Sequence, residues 1–174
     1  MMAKIKKTKF IILGFLLNKS LSGYEIGGLI KQSTDHFWQE SDASIYPTLK
    51  LLANEQLVSF ETVYVGKKRK DIFTITDAGK KAFMEWFKIY PDKEVHRAEF
   101  LLKLFFTNES TEEHMYSHCR EKLQELKKMR QEYKKIEKTL KQETPEKGYW
   151  LKTLQVGLAH LELDISWMSS ILQK

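Results

Sequence analysis

Apolar positions recur first at helical spacing, then at alternate residues, then at helical spacing to the end of the chain. Ile5, Lys9, Ile12, Leu13 and Leu16 fall on one face and predict a helix from Ile5 to Leu17. Ser22-Gly23-Tyr24-Glu25 has the S-x-x-E form of a capping box, with Ser22 and Glu25 satisfying each other's amides, and opens a second helix that ends near Ser33. Tyr24, Ile26, Leu29 and Ile30 give that helix its apolar surface. A third helix begins between Ser41 and Ser44 and runs to Asn54. With Ser44 as N-cap, Pro47 stands at the third helical position, where a missing N–H costs nothing. A start at Ser41 demands a local distortion at Pro47. Leu49, Leu52 and Ala53 then face inward, and Tyr46, Thr48 and Lys50 outward.

The period changes at Leu57. Leu57–Val65 alternates as a strand, Gly66-Lys67-Lys68-Arg69-Lys70 reads as a turn, and Asp71–Thr76 is rich in strand formers, so the segment predicts a β-hairpin with four cations at its tip. Thr76 caps a further helix that runs to about Tyr90.

Pro91-Asp92 marks the predicted boundary between a domain over 1–90 and an all-helical one over 91–174. A short helix, Glu94–Phe106, comes first. Ser110-Thr111-Glu112-Glu113 reads as a second capping box that opens a long helix to Gln142, and Leu126, Met129, Tyr133, Ile136 and Leu140 repeat along it. After a turn at Thr144–Gly148, Leu151, Leu154, Leu158, Leu161, Ile165, Met168 and Leu172 repeat at alternating steps of three and four, a coiled-coil seam. Two such helices joined by a short turn form an antiparallel pair, whose surplus apolar surface is expected to pair with a second copy, with the seam residues serving dimerisation; spacing leaves open whether the long helices pair within a protomer or between protomers. The fold class is mainly α with a small β-hairpin: an N-terminal winged helix-turn-helix and a C-terminal antiparallel helical, coiled-coil dimerisation domain.

Charge sharpens this picture. The net charge of +6 is concentrated in residues 1–90, which hold 14 Lys+Arg against 9 Asp+Glu; the remainder hold 15 against 14. An anionic partner docking at one end accounts for that asymmetry, and a solvated lysine-rich surface is the plainer reading. The lone Cys119 cannot form an internal disulfide, which points to a reducing, cytoplasmic setting; its place on an apolar stripe makes it a core thiol. No apolar run approaches the about 18 residues of a membrane span, so no membrane partner is expected. The basic start followed by Phe10–Leu17 lacks the small-residue cleavage site of a signal peptide and reads as the first helix of the fold.

Two helices, a third helix and a basic-tipped hairpin stand in winged helix-turn-helix order. Such a fold lays its third helix in the major groove. Ser44, Tyr46, Thr48 and Lys50 are the expected groove-facing residues, Ser22 and Tyr24 support them, and Lys67, Lys68, Arg69 and Lys70 meet the backbone or minor groove. Catalytic chemistry finds no counterpart. His36, His96, His114, His118 and His160 lack metal spacing beyond the i, i+4 pair His114/His118, and nucleotide loops and Cys-x-x-Cys pairs are absent, so no metal, no cofactor and no enzyme activity are expected.

Ile12-Leu13-Gly14-Phe15-Leu16-Leu17, Ser22-Gly23-Tyr24-Glu25, Ser44-Ile45-Tyr46-Pro47-Thr48-Leu49-Lys50 and the wing, Gly66 to Lys70 followed by Phe73-Thr74-Ile75-Thr76-Asp77-Ala78-Gly79, resemble the PadR family of transcriptional regulators. Glu99–Phe106 and Ser166-Trp167-Met168 resemble its larger subgroup with a helical C-terminal domain, which includes the phenolic-acid-responsive repressors. The resemblance implies a homodimer on a palindromic DNA operator, repressing until a small aromatic or hydrophobic effector relieves it. Phe37, Trp38, Trp86 and Trp150 are candidate effector contacts, with plain core packing as the competing role. The family often carries a Glu-Arg pair about seven residues before the Ser-Trp step; Ala159-His160 stands there in this chain, which weakens the inference of a carboxylate effector. The alternative is a winged-helix protein-interaction module without ligand control.

Overall fold

Ser22 and Glu25 form the capping box that the sequence predicts. The Ser22 hydroxyl accepts from the Glu25 amide (3.3 Å) while the Glu25 carboxylate accepts from the Ser22 amide (2.8 Å). This is seen in a computed structural model that describes residues 7–34, 37–38, 40–66, 68–93, 98–142 and 148–173. The chain divides into two units, Met1–Asp92 and Lys93–Lys174.

The first unit runs α1 (Thr8–Leu16), β1 (Leu21–Ser22), α2 (Gly23–Ser33), α3 (Asp42–Asn54), β2 (Val58–Val65), β3 (Lys68–Ile75) and α4 (Asp77–Lys88). Ile12, Leu13 and Leu16 of α1, Ile26 and Ile30 of α2, and Ile45, Leu49 and Leu52 of α3 are all buried in one core with Val58, Phe73 and Ile75 of the sheet. Each such side chain contributes about 1.5–3 kcal/mol when fully buried. The strands form an antiparallel sheet in the order β1-β3-β2, with Leu21 opposite Phe73 and Phe60 also opposite Phe73.

Two sequence expectations change here, and one open choice closes. The two-residue strand β1 was not foreseen, because so short a segment has no period. The hairpin turn is shorter than expected: Val65 pairs with Lys68, so Lys68, Arg69 and Lys70 lie on β3. Lys67 lies outside the described residues. Of the two starts open to α3, the earlier one is taken: the helix begins at Asp42 with Ser41 as N-cap, which makes no side-chain cap bond, and Pro47 stands inside it. Proline has no N–H to offer the Ala43 carbonyl. The start moves forward because Ser44 is held at both ends of its residue: its amide donates to the Ser41 carbonyl (2.9 Å) and its hydroxyl to Glu40 Oε2 (2.9 Å).

In the second unit α5 (Glu99–Phe105) precedes two long helices, α6 (Glu112–Lys141) and α7 (Gly148–Ile171). The long helices run antiparallel: Met115 and Cys119 pack with Met168, and Leu126 with Leu161 and Ile165. Arg130 and Lys134 both reach Glu162 across the pair. The predicted seam is therefore filled within one chain. Leu154, Leu161, Ile165 and Met168 are buried and Leu151, Leu158 and Leu172 half-buried. The second predicted capping box does not form either, since Thr111 makes no side-chain cap bond. Asn108 takes the hydroxyls instead, accepting from Ser110 Oγ at 2.6 Å while its own amide donates to Thr111 Oγ1 at 2.9 Å.

Gly79, in the first turn of α4, touches the strand that precedes it. A Cβ there would stand 2.1 Å from the Leu57 carbonyl oxygen and 2.8 Å from Ile75 Cγ1. The same carbonyl accepts from the Thr76 amide, so it cannot retreat freely. Gly79→Ala is expected to destabilise the chain by about 3 kcal/mol, the upper end of the overpacking range, in chemical denaturation. A change below about 0.5 kcal/mol would show that the contact yields.

Candidate nucleic-acid interface

The N-terminus of α2, the outer face of α3 and the β2–β3 wing surround one recess of about 600 Å³, bounded by Tyr24, Tyr46, Val65, Lys68, Arg69 and Lys70. A second hollow of about 520 Å³ shares Gly23, Tyr24 and Tyr46 and extends past Lys19 and Lys31. The Tyr46 ring reaches this position because residue 23 is glycine: a Cβ there would lie 2.8 Å from Tyr46 Cε1. Tyr24 is 83% and Tyr46 53% exposed, so both phenols stand open to an incoming partner.

The wing is tied to α2 by the capping carboxylate. Glu25 Oε2 accepts from the Ser22 amide and hydroxyl, and Glu25 Oε1 accepts from Lys70 Nζ at 3.1 Å. The Ser22 hydroxyl and amide, with Lys70 adding to them against the opposing effect of burial, hold the Glu25 carboxyl down at about 2. One residue along, Arg69 pairs with Asp71 (3.1 Å), whose carboxyl is held below its ordinary value by Thr62 and Arg69. The wing's positive charges are thus unequally available. Lys70 and Arg69 carry carboxylate partners, while Lys68 is exposed and has none among the described residues.

The structure therefore brings Tyr24, Tyr46, Lys68, Arg69 and Lys70 together, and leaves Lys50 exposed on α3. It does not bring the three small hydroxyls to the surface as expected. Thr48 is buried and donates to the Ser44 carbonyl (2.6 Å); Ser22 is buried in its capping box; Ser44 is bonded to Glu40 and Ser41. Thr48 stands three residues after Ile45 and four before Leu52, on the buried face of α3, although its polar side chain suggests an outward place. Sequence reasoning missed Glu25 as the wing's anchor, since its capping role alone explained it. It also missed Tyr64 and Val65, strongly exposed opposite Arg69 and Lys68 at the end of β2.

The effector candidates are placed as follows. Trp86 stacks on Phe10 (centroids 4.6 Å apart, 8° between planes) and packs against Phe83 in the first unit's own core. Phe37 and Trp38 are exposed there, and Trp38 donates its indole N–H to Glu40 (2.9 Å). Trp150, on α7 of the second unit, is also exposed, as are Ala159 and His160. His114 and His118 line a shallow apolar recess of about 430 Å³ with Leu102, Phe106 and Met115.

Because the Glu25 carboxyl titrates lower folded than unfolded, its pairing stabilises the chain fully above the unfolded value of about 4.5 and is lost as pH falls through about 2. Glu25→Gln is expected to be less stable than the parent at pH 7, with the gap closing as the denaturation series approaches pH 2. A gap of constant size across that window would contradict the pairing.

Known proteins are similar to this chain in sequence and in fold. The family model described as the transcriptional regulator PadR-like family matches residues 12–85, and the one described as virulence activator alpha C-term matches residues 96–174. The negative transcriptional regulator PadR of Bacillus subtilis (strain 168) is 31% identical over 173 residues, covering 94% of each chain. The crystal structure of Bacillus subtilis PadR in complex with operator DNA superposes with a TM-score of 0.86 at 29% identity over 98% of both chains. That of Bacillus subtilis PadR in complex with p-coumaric acid gives 0.78 at 28% identity, covering 96% of this chain and 97% of the other. No helix among the described residues is long and apolar enough to cross a membrane. This chain belongs to the PadR-like family of transcriptional regulators.

Proposed function

We propose that this chain is a homodimeric repressor that binds a palindromic operator through α3 and the wing and is released by a small aromatic effector. The observation that carries the reading is the shared recess: two exposed phenols and the wing cations converge beside α3. Phenol hydroxyls and lysines suit phosphate oxygens, and Tyr46 and Lys50 are the exposed α3 side chains within reach of base edges. Two copies of α3 about 34 Å apart fit successive major grooves on one duplex face. The operator complex of the Bacillus subtilis relative supports the DNA half of this reading, and its p-coumaric acid complex supports an aromatic effector. Of the candidate effector contacts, Phe37 and Trp38 in the first unit and Trp150 in the second are exposed, whereas Trp86 is committed to the core.

The half-buried Leu151, Leu158 and Leu172 of the α7 seam remain available to the second copy, which also needs a wider apolar surface. Leu101, Leu102, Phe105 and Phe106 of α5 and its C-cap supply one: all four are exposed, and the helix buries none of its residues. A cytoplasmic regulator without enzyme activity is the matching setting, with Cys119 a buried free thiol.

The test is binding to DNA upstream of the protein's own gene over a salt series, with and without small aromatic acids. Selective, salt-dependent binding at two chains per site, released by one compound, is expected; salt-insensitive binding without sequence preference would overturn the reading. The charge arrangement sharpens the outcome. Lys68→Ala should flatten the plot of log affinity against log salt by about 0.9, the value for one phosphate contact. Lys70→Ala should flatten it less, because Glu25 already neutralises that lysine. Equal changes would show that the Glu25 pairing opens on DNA.

A further inference from the structure

The carboxylate of Glu40 gathers three hydrogen bonds from three parts of the first unit. Oε1 accepts from the Thr8 hydroxyl of α1 (2.8 Å) and from the Trp38 indole N–H (2.9 Å); Oε2 accepts from the Ser44 hydroxyl of α3 (2.9 Å). Glu40 is half-buried and stands immediately before the α3 N-cap. Burial opposes its charge, yet the carboxyl is held below its ordinary value by the Trp38, Thr8 and Ser44 donors. A carboxylate at this end of a helix also complements the helix dipole.

The need for such a grip is local. Ser41 caps nothing with its side chain, and Pro47 removes one hydrogen bond from the second turn. The start of α3 is therefore a poor helix by its own sequence, although Tyr46, one turn in, must be aimed at the recess. Thr8 is buried and fixed on α1, so Glu40 references the start of α3 to the core.

We propose that Glu40 is the positioning residue of α3: through Ser44 it fixes the helix start that aims Tyr46, and through Trp38 it links that start to an exposed aromatic ring. The proposal rests on the reading of α3 as the DNA-contacting helix. It assigns no contact between Glu40 and DNA. A purely stabilising side chain would alter affinity for every duplex alike, whereas a positioning residue alters discrimination between operator and unrelated DNA.

The experiment compares the full chain with Glu40→Ala and Glu40→Gln at a temperature where all are folded. Glutamine can keep the hub: its carbonyl accepts from Thr8 and Trp38, and its amide donates to Ser44 Oγ, whose proton turns to the Ser41 carbonyl 2.7 Å away. Glu40→Ala is expected to lower the affinity ratio of operator to scrambled duplex about tenfold, the effect of one charged hydrogen bond. Glu40→Gln should restore most of that ratio. Without DNA, the Ile45 and Tyr46 amides should exchange about tenfold faster in Glu40→Ala than in the parent, with those of α4 unchanged, and the Trp38 indole N–H resonance should shift. An alanine variant with parental exchange and discrimination, or a glutamine variant as defective as alanine, would overturn the proposal. If the parent itself prefers no duplex, the DNA reading has failed, and amide exchange alone decides whether Glu40 fixes α3.

Discussion

The Glu25 carboxylate is the joint on which the first unit turns. One oxygen ends β1 and begins α2 by taking the Ser22 amide and hydroxyl; the other holds Lys70 of β3. A helix start, a sheet edge and the wing are thereby referenced to a single group. Without it, the Ser22 amide loses its acceptor, and Lys70 brings uncompensated positive charge to the rim of the recess. The recess exists because β3 stays close to α2 at this joint and because residue 23 is a glycine that admits the Tyr46 ring.

Charge in the wing has a subtler organisation than its composition suggests. Four consecutive cations read as a uniform basic tip, but Arg69 and Lys70 each have a carboxylate beside them. Paired cations still hold and orient their neighbours, while Lys68, exposed and without a carboxylate partner among the described residues, is the one proposed to meet a phosphate. Attraction for DNA and the shape of the wing are therefore divided among adjacent residues of one strand.

Much of this was legible in the sequence. The capping box at Ser22, the strand after Leu57 and the heptad spacing of α7 each rest on short-range rules and form, although β2 buries only Val58 and shows no alternation of burial. What escaped depended on partners distant in sequence. The α3 start stayed open between Ser41 and Ser44 because Glu40 and Thr8, 32 residues apart, meet at a place no local pattern marks. Thr48 turns inward because it stands on the face of Ile45 and Leu52. The α7 seam was real, but periodicity shows only that a face is buried, not which chain buries it; α6 of the same chain does so. The failed capping box at Thr111 lost to Asn108, a neighbour that competes for the same hydroxyls.

The central claim is that the outer face of α3 lies in the major groove. It is tested most directly by placing a DNA-cleaving iron chelate on that face, through Lys50→Cys, with the same reagent at exposed Met84→Cys of α4 as control. Cys119 is buried, and burial pushes its thiol up, so it does not compete for the reagent. The account predicts cleavage from position 50 in two clusters about one helical turn apart, centred on the operator, and much weaker cleavage from position 84. Uniform cleavage along the duplex, or cleavage from position 84 alone, would contradict it.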